Sequence, residues 1–261
     1  MKRTLLVKRI SPLKYALHAL FLILLSTSSG FAAEKRFKDC DTCPEMVVIA
    51  PGSFEMGEPT RDRKPVHTVH IAYSFAVGKY EVTQAEWRAV MGDNPSQFQG
   101  DNRPVERVTW NEVQVFLDKL SQKTGQNYRL LTETEWEYVA RAGTTTKWTC
   151  GQKKSCVKEY GWYRGISDRK TQPVGQKKPN PFGLYDMAGN VGEWTADCYQ
   201  DSYEGLPGDG TFVPPTKECH KRVVRGGSWK YLPRDLKPAT RSKTFVTFEL
   251  GEVGFRVAKT L

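Results

Sequence analysis

NPFGLYDMAGNVGEWTAD, residues 180–197, is the stretch on which the fold turns. Its centre, GLYDMAGNVGEW (183–194), sets Asp186 and Glu193 among Gly183, Gly189 and Gly192. Carboxylates are hard oxygen donors, and glycines let a chain fold tightly enough to turn backbone carbonyls inward. Together they form the kind of donor set that calcium takes. The spacing is not that of an EF-hand. An ordinary tight turn, in which Asp186 and Asn190 bond their own backbone, accounts for the same residues. The residues alone leave both readings open.

Around this stretch, residues 144–221 show almost no periodicity, so disulfides, aromatic packing or bound ions are expected to hold them. Earlier in the chain the signals are regular. Thr83-Gln84-Ala85-Glu86, Thr109-Trp110-Asn111-Glu112 and Thr132-Glu133-Thr134-Glu135 each match a helix capping box. Behind Thr109, residues Val113, Phe116, Leu117 and Leu120 share one helical face, and behind Thr132 so do Trp136, Val139 and Ala140. Met91-Gly92 and Gly143 are the expected stops of the first and third helices. Strands are expected within 46–50, 67–78, 222–227 and 254–259.

The first 32 residues read as a signal peptide. Lys2, Arg3, Lys8, Arg9 and Lys14 make a basic start, YALHALFLILL (15–25) is a short apolar run, and Gly30-Phe31-Ala32 puts small residues before a cut. An uncleaved anchor is the alternative, disfavoured by the shortness of the run. A periplasmic or secreted protein with no stable membrane span after signal removal is expected. Residues 33–45 read as an N-terminal extension and 46–261 as one domain. Removing five basic and no acidic residues lowers the formal net charge of +10 by half. A mildly basic chain with short Lys clusters is not a nucleic-acid binder by charge.

All six cysteines, Cys40, Cys43, Cys150, Cys156, Cys198 and Cys219, lie beyond the signal. An even count in an exported chain points to disulfides. Connectivity is open from sequence, although local spacing favours 40 with 43, 150 with 156 and 198 with 219. A redox dithiol or half a zinc site at Cys40-Asp-Thr-Cys43 is the sharper alternative, but it has neither a strand–helix context nor a matching half-site. His67 and His70, three apart on an expected strand, point to opposite faces and do not chelate one ion. No nucleophile elbow, phosphate loop or dinucleotide fingerprint is present.

Seven motifs in series, MVVIAPGSFEMGE (46–58), YEVTQAEW (80–87), RPVERVTWNEV (103–113), RLLTETEWEYVARAG (129–143), NPFGLYDMAGNVGEWTAD (180–197), RVVRGGSW (222–229) and GFRVAK (254–259), resemble the formylglycine-generating enzyme, or sulfatase-modifying factor, family. The resemblance implies an α/β (α+β), C-type-lectin-like fold with little regular secondary structure. It also implies a structural calcium ion held by the side chains of Asp186 and Glu193 and the carbonyls of Gly189 and Val191. Many relatives have Asn where this chain has Asp186, a change that keeps an oxygen donor. A second family calcium site lies upstream and is not assigned.

Relatives that oxidise a substrate cysteine use two copper(I)-binding cysteines shortly after Gly-Gly-Ser. Counted without gaps from Gly226-Gly227-Ser228, those positions are Tyr231 and Leu236 here. Soft thiolates suit copper(I) and hard donors replace them poorly, so copper is not expected. Gly192 departs too, where the family commonly places an aromatic before Glu-Trp. The resemblance thus implies an exported family member acting in maturation or oxidation of an exported protein, peptide or peptide-derived substrate, without the usual oxidase site. Ser228, Trp229, Tyr231, Arg234, Asp235 and Arg241 are the candidates to carry chemistry. Against that stand Trp229 and Tyr231 as core aromatics and Arg241 as a structural ion-pair partner. The alternative function is a non-catalytic C-type-lectin-like module for glycan or peptide. A formylglycine-generating enzyme with a different catalytic arrangement is the third reading.

Overall fold

The helices begin where Thr and Glu satisfy each other's backbone. In this computed structural model, which describes residues 36–212, 214 and 219–261, helices α1 (Gln84–Met91), α2 (Trp110–Thr124) and α3 (Glu133–Arg141) follow the three capping boxes. The hydroxyls of Thr83, Thr109 and Thr132 accept from the N–H groups of Glu86, Glu112 and Glu135 at 3.2, 3.1 and 3.0 Å. Each glutamate accepts in return from the threonine N–H at 2.8–2.9 Å. Gly92 and Gly125 end α1 and α2 in left-handed conformation. Helix α3 turns left-handed at Ala142 (φ 46°), one residue before the expected Gly143. The signal segment, residues 1–32, lies outside the described residues.

Eleven strands occur among the described residues: β1 (Arg36–Phe37), β2 (Met46–Ile49), β3 (Gly52–Met56), β4 (His67–Ile71), β5 (Phe75–Gly78), β6 (Tyr128–Leu130), β7 (Gly192–Cys198), β8 (Lys221–Arg225), β9 (Arg241–Phe245), β10 (Val253–Phe255) and β11 (Val257–Thr260). They form a five-stranded sheet in the order β1-β2-β5-β11-β6, a four-stranded sheet in the order β10-β7-β8-β9, and the hairpin β3-β4. Two expected single strands divide in two. Residues 67–78 split into β4 and β5, in different sheets. Residues 254–259 straddle β10 and β11, so the chain changes sheets at Arg256. His67 and His70 have separate partners, the Pro65 carbonyl and the Ser53 hydroxyl.

Strand β7 is the main departure from the aperiodic reading of 144–221. It runs through the Gly-Glu-Trp of the opening stretch and is paired on both edges, in parallel with β10 and antiparallel with β8. Gly192, Glu193, Trp194 and Thr195 are all buried. A strand covered on both faces has no alternation to betray it.

The core lies between the sheets and helices. Trp87 stacks on Phe116 at 5.3 Å, and Phe255 meets both rings edge-on. Trp136 and Trp194 are each 1% exposed. Disulfides join Cys40–Cys43, Cys150–Cys156 and Cys198–Cys219, the connectivity that local spacing favours. The second of them, packed with Trp148, Val157 and Leu236, anchors the irregular region. Among the described residues no helix is long and apolar enough to cross a membrane.

Candidate functional site

The opening stretch is a loop wired to distant segments rather than a self-bonded turn. Asp186 (φ 58°) and Asn190 (φ 59°) are both left-handed, a conformation that Asp and Asn tolerate better than most residues. Asn190 Oδ1 accepts from the Gln172 N–H at 2.8 Å, and its Nδ2 donates to Glu81 Oε2 at 2.6 Å. Glu81 Oε1 accepts from the Val191 N–H at 2.9 Å. Asp186 Oδ2 accepts from the Gly175 N–H at 2.7 Å. Gly189 must be glycine, because a Cβ there would stand 1.9 Å from the Trp162 carbonyl oxygen.

Glu193 reaches back from β7 to Arg256, at the crossing between sheets. Arg256 Nη2 donates to Glu193 Oε1 at 2.8 Å and its Nε lies 3.1–3.2 Å from both oxygens, while the Trp136 indole N–H donates to Oε2 at 2.6 Å. Arg256 Nη1 donates to the Gly78 carbonyl, and Nη2 donates also to the Tyr185 carbonyl. Glu81, Asp186, Glu193 and Arg256 are all at most 1% exposed. Three buried carboxylates thus surround one guanidinium. Burial, with Asp186 and Glu193 nearby, holds Glu81 well above the usual carboxylate range. Burial pushes Asp186 up to about 6, against the opposing pull of the Gly175 N–H and Arg256.

The fit of this loop to a hard cation rests on one atom. Asp186 Oδ1 is buried and has no hydrogen-bond partner. It is an oxygen donor in an acidic surround, where a divalent cation would offset both the charge and the missing contact. Glu193 is already engaged by Arg256 and Trp136, so it would have to share its oxygens with a metal. Glu81 and Arg256 are the members that sequence reasoning missed. The available signal was a charged residue inside an apolar strand run, as in Gly-Phe-Arg-Val-Ala.

The second candidate region follows β8. Ser228 is fully buried, and its Oγ accepts from the Lys230 N–H at 3.4 Å. Trp229 is half-buried, donates its indole N–H to the Gly251 carbonyl at 2.9 Å and meets Phe98 edge-on. Tyr231 is 36% exposed, whereas Leu236 is 2% exposed and packs on Trp148 and Val157. Arg234 is exposed, and Asp235 accepts from the Leu232 N–H. Arg241 does not join this group. It is buried and forked onto Glu133 at 2.6 and 2.8 Å. Beside Trp229, Lys230 pairs with Glu252. Glu106 is fully buried nearby with Oε2 unpartnered, and burial pushes its carboxyl up to about 7. Every cysteine is in a disulfide, so no thiol is left to replace Tyr231 and Leu236.

A family model described as the sulfatase-modifying factor enzyme 1-like domain matches residues 32–261. The chain belongs to this family. The chain is 32% identical to the formylglycine-generating enzyme of Streptomyces coelicolor, over 68% of this chain and 59% of that enzyme. It is 29% identical to chaperone protein LppX of Paenibacillus barcinonensis, covering 80% of this chain and 87% of that one. Among solved structures it is similar to PvdO from Pseudomonas aeruginosa, at 36% identity and a TM-score of 0.81, covering 87% of this chain and 98% of PvdO. The fold is the mixed α/β, C-type-lectin-like fold of formylglycine-generating enzymes.

Proposed function

We propose that this protein is an exported formylglycine-generating-enzyme-like domain that acts in maturation or oxidation of an exported protein, peptide or peptide-derived product, without a copper–thiolate centre. The observation that carries the reading is the state of sulfur. All six cysteines are in disulfides, and the family's two metal-binding positions hold an exposed tyrosine and a buried leucine. Three disulfides also favour an oxidising compartment, and hence a periplasmic or secreted location. The surface group Trp229, Tyr231, Arg234 and Asp235, with the Lys230–Glu252 pair, is where substrate contact is expected.

Calcium is proposed as a structural ion, held by the Asp186 and Glu193 side chains and the Gly189 and Val191 carbonyls. It would supply charge neutralisation to the acidic loop. Asp186 would give up the oxygen that is unpartnered, and Arg256 would orient Glu193.

Incubating the protein with a sulfatase-type cysteine peptide under oxygen and copper tests the reading. No aldehyde should form, and mass spectrometry should return the unmodified peptide. Aldehyde formation would revive the oxidase assignment. The same assay on the Tyr231→Cys, Leu236→Cys double variant asks whether the sulfur pair alone separates this chain from an oxidase. A second reading, a binding module without turnover, is favoured by the similarity to a protein named as a chaperone. Saturable binding of a peptide or glycan that is recovered unchanged would select it.

A further inference from the structure

A hollow of about 510 Å³ opens where the start of α2 meets β6, β7 and β8. Its walls include Trp110, Gln114, Arg129, Glu135, Phe212 and Arg222. One wall is a stack: the Arg222 guanidinium carbon lies 4.0 Å from the centre of the Trp110 ring. The ring is held in place by its indole N–H, which donates to the Thr195 carbonyl at 3.0 Å. Phe212, 41% exposed, supplies a second aromatic surface.

The charges around the hollow are unequally satisfied. Arg129 is forked onto Glu135 at 2.6 and 2.8 Å, and Glu135 also accepts from the Thr132 N–H and the Tyr73 hydroxyl. That pair is closed. Arg222 is 9% exposed, and among the described residues it donates only from Nη1, to the Ala196 carbonyl. Its Nε is buried without a partner, as is Gln114 Nε2. Asp197 acts on Arg222 through space without an ion-pair contact, and burial beside Glu133 pushes its carboxyl up to about 7. A buried guanidinium with a donor to spare calls for an acceptor, and a planar carboxylate suits it best.

We propose that this hollow is a binding site for an aromatic carboxylate, with the ring seated against Trp110 and Phe212 and the carboxylate held by Arg222 and Gln114. A small aryl acid and a peptide ending in an aromatic residue present the same chemistry. The site lies outside the Gly226–Leu236 segment and does not depend on the oxidase question.

Calorimetric titration decides it, with 2-naphthoate and Ala-Ala-Phe as probes and 2-naphthamide and Ala-Ala-Phe-amide as uncharged controls. At least one acid should bind about ten-fold or more tightly than its amide, the worth of one charge-assisted hydrogen bond. Preference for naphthoate identifies a small-molecule site, and preference for the peptide acid a chain-terminus site. Arg222→Gln should remove the acid-over-amide preference. Phe212→Ala, at an exposed position that leaves folding intact, should weaken both acids several-fold. The proposal is overturned if neither acid binds at millimolar concentration, if acid and amide bind alike, or if Phe212→Ala leaves the affinity of the bound acid unchanged.

Discussion

Asp186 shows how one residue answers to several physical demands. Its left-handed backbone suits a short polar side chain, one carboxylate oxygen caps the Gly175 N–H, and the other is left buried and unpartnered. Only the last of these points to an ion. If calcium occupies the loop, stripping with a chelator and restoring the metal should raise the melting temperature by several degrees, since ligand at about 100 times its dissociation constant adds about 2.7 kcal/mol. Asp186→Asn keeps an oxygen and the left-handed fit but removes a charge, so the shift should shrink without vanishing. Differential scanning calorimetry of both proteins measures this, and an unchanged melting temperature in the parent chain would remove calcium from the account. Arg256 belongs to the same scale. It was legible only as a charge between two apolar strands, because its partner Glu193 is 63 residues away in sequence.

At the scale of elements, β7 joins the 183–191 loop to the four-stranded sheet, and Gly192 is its tight point. A Cβ there would stand 2.7 Å from Val224 Cγ1 on β8. The aromatic that relatives commonly carry before Glu-Trp therefore does not fit this sheet as it stands. Gly192→Trp should destabilise by about 1–3 kcal/mol, the usual cost of overpacking, and Val224→Ala in the same chain should recover part of the loss. Urea midpoints of the two variants provide the check; equal midpoints for parent and Gly192→Trp would mean that the sheet yields freely. The helices were readable in advance because their capping boxes are local, with both partners three residues apart. Strand β7 was not, because its partners β8 and β10 lie far along the chain and both its faces are covered.

At the scale of the whole molecule, buried carboxylates set the response to pH. Burial raises Glu81, Asp186, Asp197 and Glu106 together. A carboxyl raised in the folded state holds its proton longer than in the unfolded chain. Stability is therefore full below the ordinary carboxylate pKa and is lost as pH rises through the folded value, at up to about 1.4 kcal/mol per pH unit for each group in its window. In metal-free buffer the protein should thus be less stable at pH 8 than at pH 5. Glu106→Gln keeps an acceptor for the Phe98 N–H and cannot ionise. It should match the parent near pH 4 and exceed it by a few kcal/mol above pH 7. Parallel denaturation curves at the two pH values distinguish this from a uniform effect of the substitution.

The sequence alone determined the helix starts and, through seven ordered motifs, the family and its fold, and its local spacing favoured the cysteine pairing that the structure then settled. It also showed that no cysteine follows Gly226-Gly227-Ser228. Each of these is written in short-range order, where the interacting residues are close along the chain or their identities suffice. The tertiary structure decided which acids are buried together, which of them Arg256 and Arg241 neutralise, and where Arg222 is left with a donor to spare. Such facts depend on desolvation and on partners brought together from distant parts of the chain, and neither leaves a local trace in the order of residues.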